Sequence, residues 1–251
     1  MNGNFGSVCD DFYTATRLFL KLEMGLDRET VLHFFDRIRK VFPRMNRFRR
    51  REDGGLVLEE DPGESASRRW VRLEPHSVRF GHFAPPNSSS LREMAEIVLE
   101  HAPYHLTLND LDYDHLELVY GFDLQYRGNH DRLIAETLWA DHPIAAFLFG
   151  KEAVQPIDTQ PYFGVALTPG CDLQAYVQVK SRSTTYEIRT GEYDEQPLSI
   201  CLILRKYWAG DQGATLLQAH QRLFDLCEEL AAEKVVPILV HPLAQAIARS
   251  R

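Results

Sequence analysis

The chain has few of the short signatures by which chemistry is usually read from sequence. Its four cysteines, Cys9, Cys171, Cys201 and Cys227, are scattered, with no Cys-x-x-Cys pair and no histidine at zinc-finger spacing. Buried, reduced thiols are therefore expected rather than a structural zinc site. There is no Gly-x-Ser-x-Gly elbow, no Gly-x-x-x-x-Gly-Lys-Ser/Thr loop and no Gly-x-Gly-x-x-Gly after a strand. Gly150-Lys151 has neither the preceding glycine nor the following hydroxyl of a phosphate loop. Serine-hydrolase, P-loop and dinucleotide chemistries are thus disfavoured. No catalytic residue, cofactor or metal is assigned, and an enzymatic role is the lesser expectation. No apolar run approaches the ~18 residues that span a bilayer, and Met1–Asp10 has no basic-then-apolar leader grammar. The expected setting is the cytoplasm, away from membranes.

With 251 residues, 44% of them apolar, the chain has material for one large domain or two ordinary ones. The net charge of −8 argues against general nucleic-acid binding. Charge is uneven, however. Arg37, Arg39, Lys40, Arg44, Arg47, Arg49, Arg50 and Arg51 form one basic stretch, while acid gathers at Glu59–Asp61 and at Asp110, Asp112 and Asp114.

Apolar periodicity suggests one structural unit used twice. Thr16, Leu18, Leu20, Leu22 and Met24 alternate as one face of an opening strand. Asp27 can cap a helix with the stripe Val31, Phe34, Phe35, Ile38 and Val41. Strands are expected at 46–51 and 56–60 around the turn Asp53-Gly54-Gly55, and at 69–74 and 78–83 around Pro75. Ser90-x-x-Glu93 reads as the capping box of a second helix, closed by Pro103. The order returns with Leu116, Leu118, Tyr120, Phe122, Leu124 and Tyr126, then a helix capped at Asn129. A short helix opened by Asp141 and Pro143 lengthens the connection. Four strands are expected at 161–168, 172–181, 184–190 and 196–206, before a helix boxed by Thr215 and Gln218.

The expected fold is α+β: tandem β-α-β4-α units forming one long curved antiparallel sheet with helices on one face. The alternative is two separately packed α+β domains. The boundaries are a tail at 1–13, units at 14–102 and 113–232, a linker at 103–112 and an insertion near 141–160. A C-terminal extension at 233–251 would hold an extended piece at Val235–Val240 and a helix after Pro242. This element order resembles the topology of the TATA-box-binding protein family, an analogy of fold without a shared motif, which carries no function with it.

Helices on one face leave the other face of the sheet open. Strand parity places Arg17, Phe19, Lys21, Arg47, Arg49, Arg51, Trp70, Arg72 and Arg79 there. The second unit adds His115, Glu117, Gln174, Tyr176, Gln178, Lys180, Glu187, Arg189, Ser199, Cys201 and Arg205. Arginine forks beside aromatic planes suit anionic, flat or peptide-like ligands. The candidate ligand-binding residues are Arg17, Lys21, Arg49, Trp70, Arg72, Arg79, Tyr176 and Arg205. The expected function is binding of a protein segment or an anionic small molecule on this face, with a homodimer as one form of partner. A composite enzyme pocket between the units is the alternative. The third reading, nucleic-acid binding through residues 37–51, conflicts with the overall acidity. His101, His105 and the aspartates at 110–114 are the densest set of metal-ligand types, but Pro103 is expected to keep the two histidines off a shared helical face. His220, one turn after Leu216, reads as a core histidine.

Overall fold

Two long strands meet at the centre of the molecule. In the computed structural model, which describes residues 5–61, 63, 66–149, 154–208 and 215–250, β1 (Asp11–Leu20) pairs antiparallel with β6 (Tyr113–Tyr126). The ladder runs from Asp11 opposite Asp123 to Leu18 opposite Leu116, with an irregularity at Phe19/Leu20. Between these strands the chain forms α1 (Arg28–Val41), β2 (Arg47–Arg50), β3 (Leu56–Glu59), β4 (Arg68–Glu74), β5 (Ser77–Phe83) and α2 (Ser88–His105). After β6 come α3 (His130–Leu138), α4 (Ala145–Leu148), β7 (Tyr162–Ala166), β8 (Leu173–Lys180), α5 (Thr185–Thr190), β9 (Gln196–Tyr207) and α6 (Leu216–Leu230). A π-helical segment, Ala231–Val240, and α7 (His241–Ser250) continue α6 without a break.

The strands form one antiparallel sheet in the order β2-β3-β4-β5-β1-β6-β9-β8-β7. The fold is α+β with a single sheet, so the two units share a sheet rather than packing as separate domains. From the centre outward the first half reads opening strand, last strand, then the earlier ones in reverse. The second half repeats that order with one strand fewer.

Several local expectations are corrected. The expected strand at 184–190 is α5. Thr184 and Glu187 form a reciprocal capping box and Gly191 ends the helix at φ 73°, so local hydrogen bonds override the β-forming residues between them. Glu187 and Arg189 therefore leave the open-face inventory. By position, β7, β8 and β9 correspond to β3, β4 and β5, and no described strand takes the place of β2. The opening strand begins at Asp11 and ends at Leu20, which draws residues 11–13 out of the tail and leaves Leu22 in the following loop, 67% exposed. α2 is capped by Asn87, whose side chain accepts from the Ser90 amide, and it runs through Pro103. The rings of His101 and His105 accordingly lie 6.0 Å apart on one face. The piece expected to be extended at Val235–Val240 is helical. The wider π register tolerates Pro237, whose ring would clash with a carbonyl one α-turn earlier. The caps at Asp27, Asn129 and Thr215 form as expected.

The core lies between the sheet and the helices. Thr14, Thr16, Leu18 and Leu20 of β1 and Leu116, Leu118, Tyr120 and Phe122 of β6 are buried on the helix side. Phe5, in a short turn before β1, adds its ring to Phe12, Tyr120 and Phe122 at 5.4–6.0 Å between centroids. Each such side chain contributes about 1.5–3 kcal/mol on leaving water. The helix from Leu216 to Ser250 is long and apolar enough to cross a membrane by composition. Here its buried residues, from Leu216 and Phe224 through Val236 to Ile247, face the core.

Of the three buried histidines among the described residues, His82 and His220 lie together between the sheet and the helices. His220 Nε2 meets Thr16 Oγ1 at 3.0 Å, and His82 Nε2 meets Ser67 Oγ at 2.8 Å. Burial, reinforced by Arg92 and Arg69 respectively, lowers both pKa values from 6.5 to about 4. Between those values the unfolded chain binds the protons and the folded chain refuses them. Their contribution to stability is therefore full above about pH 6.5 and is lost as pH falls toward 4. Urea unfolding followed from pH 7 to 4.5 should show this loss. His220→Gln should reduce the slope by about one proton; an unchanged slope would contradict the assignment.

Candidate functional site

Strand alternation places one residue in two on the open face, and cross-strand register decides which of them meet. Arg49, Val57, Arg72, Arg79, Arg17, Glu117, Arg205 and Gln174 form a single row across eight strands, β2 to β8. The next row carries Trp70, Gly81, Ala15, Val119, Ile203 and Tyr176.

Rings lie flat on this face because their neighbours have no side chain. A Cβ at Gly121 would sit 2.1–2.5 Å from the Tyr13 ring. One at Gly81 would come within 2.7–2.8 Å of Trp70, and one at Gly164 within 2.5 Å of Tyr176. Each pair is in direct register across neighbouring strands, an arrangement in which the aromatic covers the glycine's exposed backbone. Phe19, His115 and Tyr207 extend the paving as a stack, at 4.0 and 4.9 Å between centroids. Guanidinium groups lie over the rings: Arg17 over Phe19 at 4.0 Å, Arg205 over Tyr176 at 4.7 Å and Arg68 over Phe83 at 5.1 Å.

In the first unit this surface sinks into a shallow cavity of about 240 Å³ above β2–β5. Arg49, Arg51, Arg68, Arg72 and Arg79 line it with Trp70, and among the described residues Glu59 is the one carboxylate in its lining. Arg49 is tied to Glu59 at 3.0 Å. Arg72 reaches Asp53 at 2.6 Å and Glu74 at 2.8 Å. Arg17 and Arg79 also turn to Glu74, at 2.9 and 3.5 Å, so three guanidiniums share one carboxylate. Burial alone would raise the pKa of Glu74, but the hydrogen bond from Ser77 and the pull of the three arginines hold it below the ordinary carboxylate value. Burial, with Arg79 and Arg72 adding repulsion, lowers the pKa of Arg17. The Nε atoms of Arg17 and Arg72 are buried without a hydrogen-bond partner. Among the described residues, Arg17, Arg49, Arg51, Arg68, Arg72 and Arg79 stand against Glu59, Asp53 and Glu74, so positive charge is in excess here.

The structure brings Arg49, Trp70, Arg72 and Arg79 together around this cavity and sets Arg17 at its side, opposite Arg79. Tyr176 and Arg205 form a separate pair in the second unit. Lys21 lies past the end of β1, exposed, with its amide donating to the Asp112 carbonyl, and belongs to neither group. Sequence reasoning missed Arg68, just outside its expected strand, and Tyr13, assigned to the tail. It also passed over Phe83, although parity exposes it. The open-parity glycines within strands were the available signal for the flat rings.

At the centre of the face Tyr13 Oη and Cys201 Sγ are 3.8 Å apart, and burial raises the pKa of each. Neither is an activated nucleophile, since reactivity requires the deprotonated form. Among the described residues, no three His, Cys, Asp or Glu side chains are grouped to hold a metal ion. Larger grooves occur on other parts of the surface, of about 670 Å³ between Val31, Leu32 and Phe48 and of about 700 Å³ around Asn129 and Arg132. Neither gathers charge of one sign as the Trp70 cavity does. No family model matches this chain, and no curated protein is significantly similar to it.

Proposed function

We propose that the chain is a binding module whose open sheet face captures an anionic, flat group at the Trp70 cavity. The ligand would be a carboxylate or phosphate carried on or beside an aromatic ring, either as a small molecule or as part of a protein segment. The observation that carries this reading is that five arginines and Trp70 line one cavity in which, among the described residues, Glu59 is the one carboxylate. Guanidinium forks match the two oxygens of such anions, and the indole offers a stacking plane. The basic surface does not continue as a track. Beyond Arg17 the same row passes to Glu117, which neutralises Arg205 at 2.7 Å, and then to Gln174, which favours a compact anion over a nucleic-acid backbone.

The expected affinity is modest. Two charge-assisted hydrogen bonds and one stacked ring, at about 1–2 kcal/mol each, place a bare fragment near millimolar dissociation constants. Phenyl phosphate is a suitable probe, titrated calorimetrically at low ionic strength. Trp70→Leu should weaken it about tenfold or more, and phenol, which lacks the charge, should not bind. Equal binding of phenol, or a Trp70→Leu variant that binds as well as the parent, would overturn the proposal.

A further inference from the structure

The two edges of the sheet are built differently. β2, at one edge, exposes Arg47, Arg49 and Arg50, the kind of charged border that discourages edge-to-edge pairing. β7, at the other, is exposed along its whole length, with Tyr162 51%, Phe163 58% and Val165 59% accessible. From Thr159 to Cys171 there is no charged side chain. The repeat makes the contrast sharper. β7 occupies the position of β3, whose outer side is covered by β2, and no described strand covers β7.

The backbone of β7 is set to accept another strand. The Leu167 amide donates to the Leu173 carbonyl at 2.8 Å, and the Val179 amide donates to the Pro161 carbonyl at 3.0 Å. Odd-numbered residues therefore bond to β8, and alternation turns the N–H and C=O groups of Tyr162, Gly164 and Ala166 outward.

We infer that a second copy of this chain pairs antiparallel with β7 about a twofold axis at Gly164. In that register Phe163 faces the other copy's Val165 and Tyr162 faces its Ala166, so each ring meets a small or branched side chain. Aromatic and β-branched residues are favourable cross-strand partners. The strand is thus complementary to itself in size. It offers no charge with which an acidic or basic partner strand could be selected, and self-pairing buries no ion. The contact also closes, as a twofold interface must, and leaves the arginine-bordered β2 strands as the free edges of the joined sheet among the described strands.

Sedimentation velocity from about 1 to 100 µM tests the pairing in the range expected for a small interface. The parent chain should be dimeric. Val165→Lys, at an exposed site, should weaken association about 100-fold while leaving the circular dichroism unchanged. Leu111→Lys, at a position 84% exposed and outside the sheet, should leave the dimer intact. In a Cys171→Ser background, Phe163→Cys with Val165→Cys should give a covalent dimer on oxidation, since these positions form a closely spaced non-hydrogen-bonded pair. A parent that stays monomeric throughout overturns the inference, even if it captures an extended peptide. So does a Val165→Lys dimer of undiminished stability, or a double-cysteine variant that does not cross-link. Trp70→Leu should have no effect on any of these readouts, so the two proposals fail separately.

Discussion

Gly121→Val should lower the unfolding free energy by about 3 kcal/mol, near the upper end for overpacking in a tightly filled site. The added side chain would occupy the space of the Tyr13 ring, whose atoms stand 2.1–2.5 Å from a Cβ built there. Tyr13 cannot simply swing aside, because it also touches Phe83 at 5.6 Å between centroids and lies beside Cys201. Alanine should produce the same effect in smaller measure. Gly25 is the internal control: a Cβ there meets nothing within 4 Å, so Gly25→Ala should fall within about 1 kcal/mol of the parent. In a Tyr13→Ala background the penalty of valine should largely vanish, giving a coupling energy that identifies the ring as its cause. Urea denaturation of the parent, Gly121→Val, Tyr13→Ala and the double variant measures it. Full additivity would mean that the rings do not lie over the glycines.

Glu74→Gln should have two effects of opposite sign. The carboxylate holds Arg17, Arg72 and Arg79 and accepts from Ser77 Oγ at 2.6 Å. Removing its charge leaves three guanidiniums facing one another, at a cost of about 2 kcal/mol, less than for a fully buried pair because the arginines are partly solvated. The pKa of Glu74 is lower in the folded chain than its ordinary value of 4.5. Its contribution is therefore present above pH 4.5 and is lost as pH falls through the folded value, so the variant should lack that part of the acid slope. Meanwhile two of the freed arginines line the cavity beside Trp70, and phenyl phosphate should bind several-fold more tightly. A variant both less stable and weaker in binding would mean that Glu74 only positions the cavity.

Much of this was legible in the sequence because it depends on spacing. The even-numbered ladder of β6, the caps at Asp27, Asn129 and Thr215, and the parity that sends Arg17, Arg49, Trp70, Arg72, Arg79, Tyr176 and Arg205 to the open face are properties of single elements. What failed was the competition between local signals. Thr184 and Glu187 flank residues with strand propensity, and their reciprocal hydrogen bonds make a helix. That shifts which strand of the second unit matches which of the first. Val235–Val240 reads as extended by composition, yet the helix begun at Leu216 carries through it. The cavity itself could not be read from element order. It depends on Trp70 falling opposite Gly81 and on Arg72 opposite Arg79, which register determines and strand parity alone does not.

The central claim is that Trp70 stands at an open face carrying excess positive charge. A variant with Trp139→Phe and Trp208→Phe, leaving Trp70 as the only tryptophan, allows paired quenching by iodide and caesium. Iodide should quench several-fold more strongly than caesium, and added salt should erase the difference by screening the arginines. Equal and weak quenching by both ions, or stronger quenching by caesium, would contradict the account.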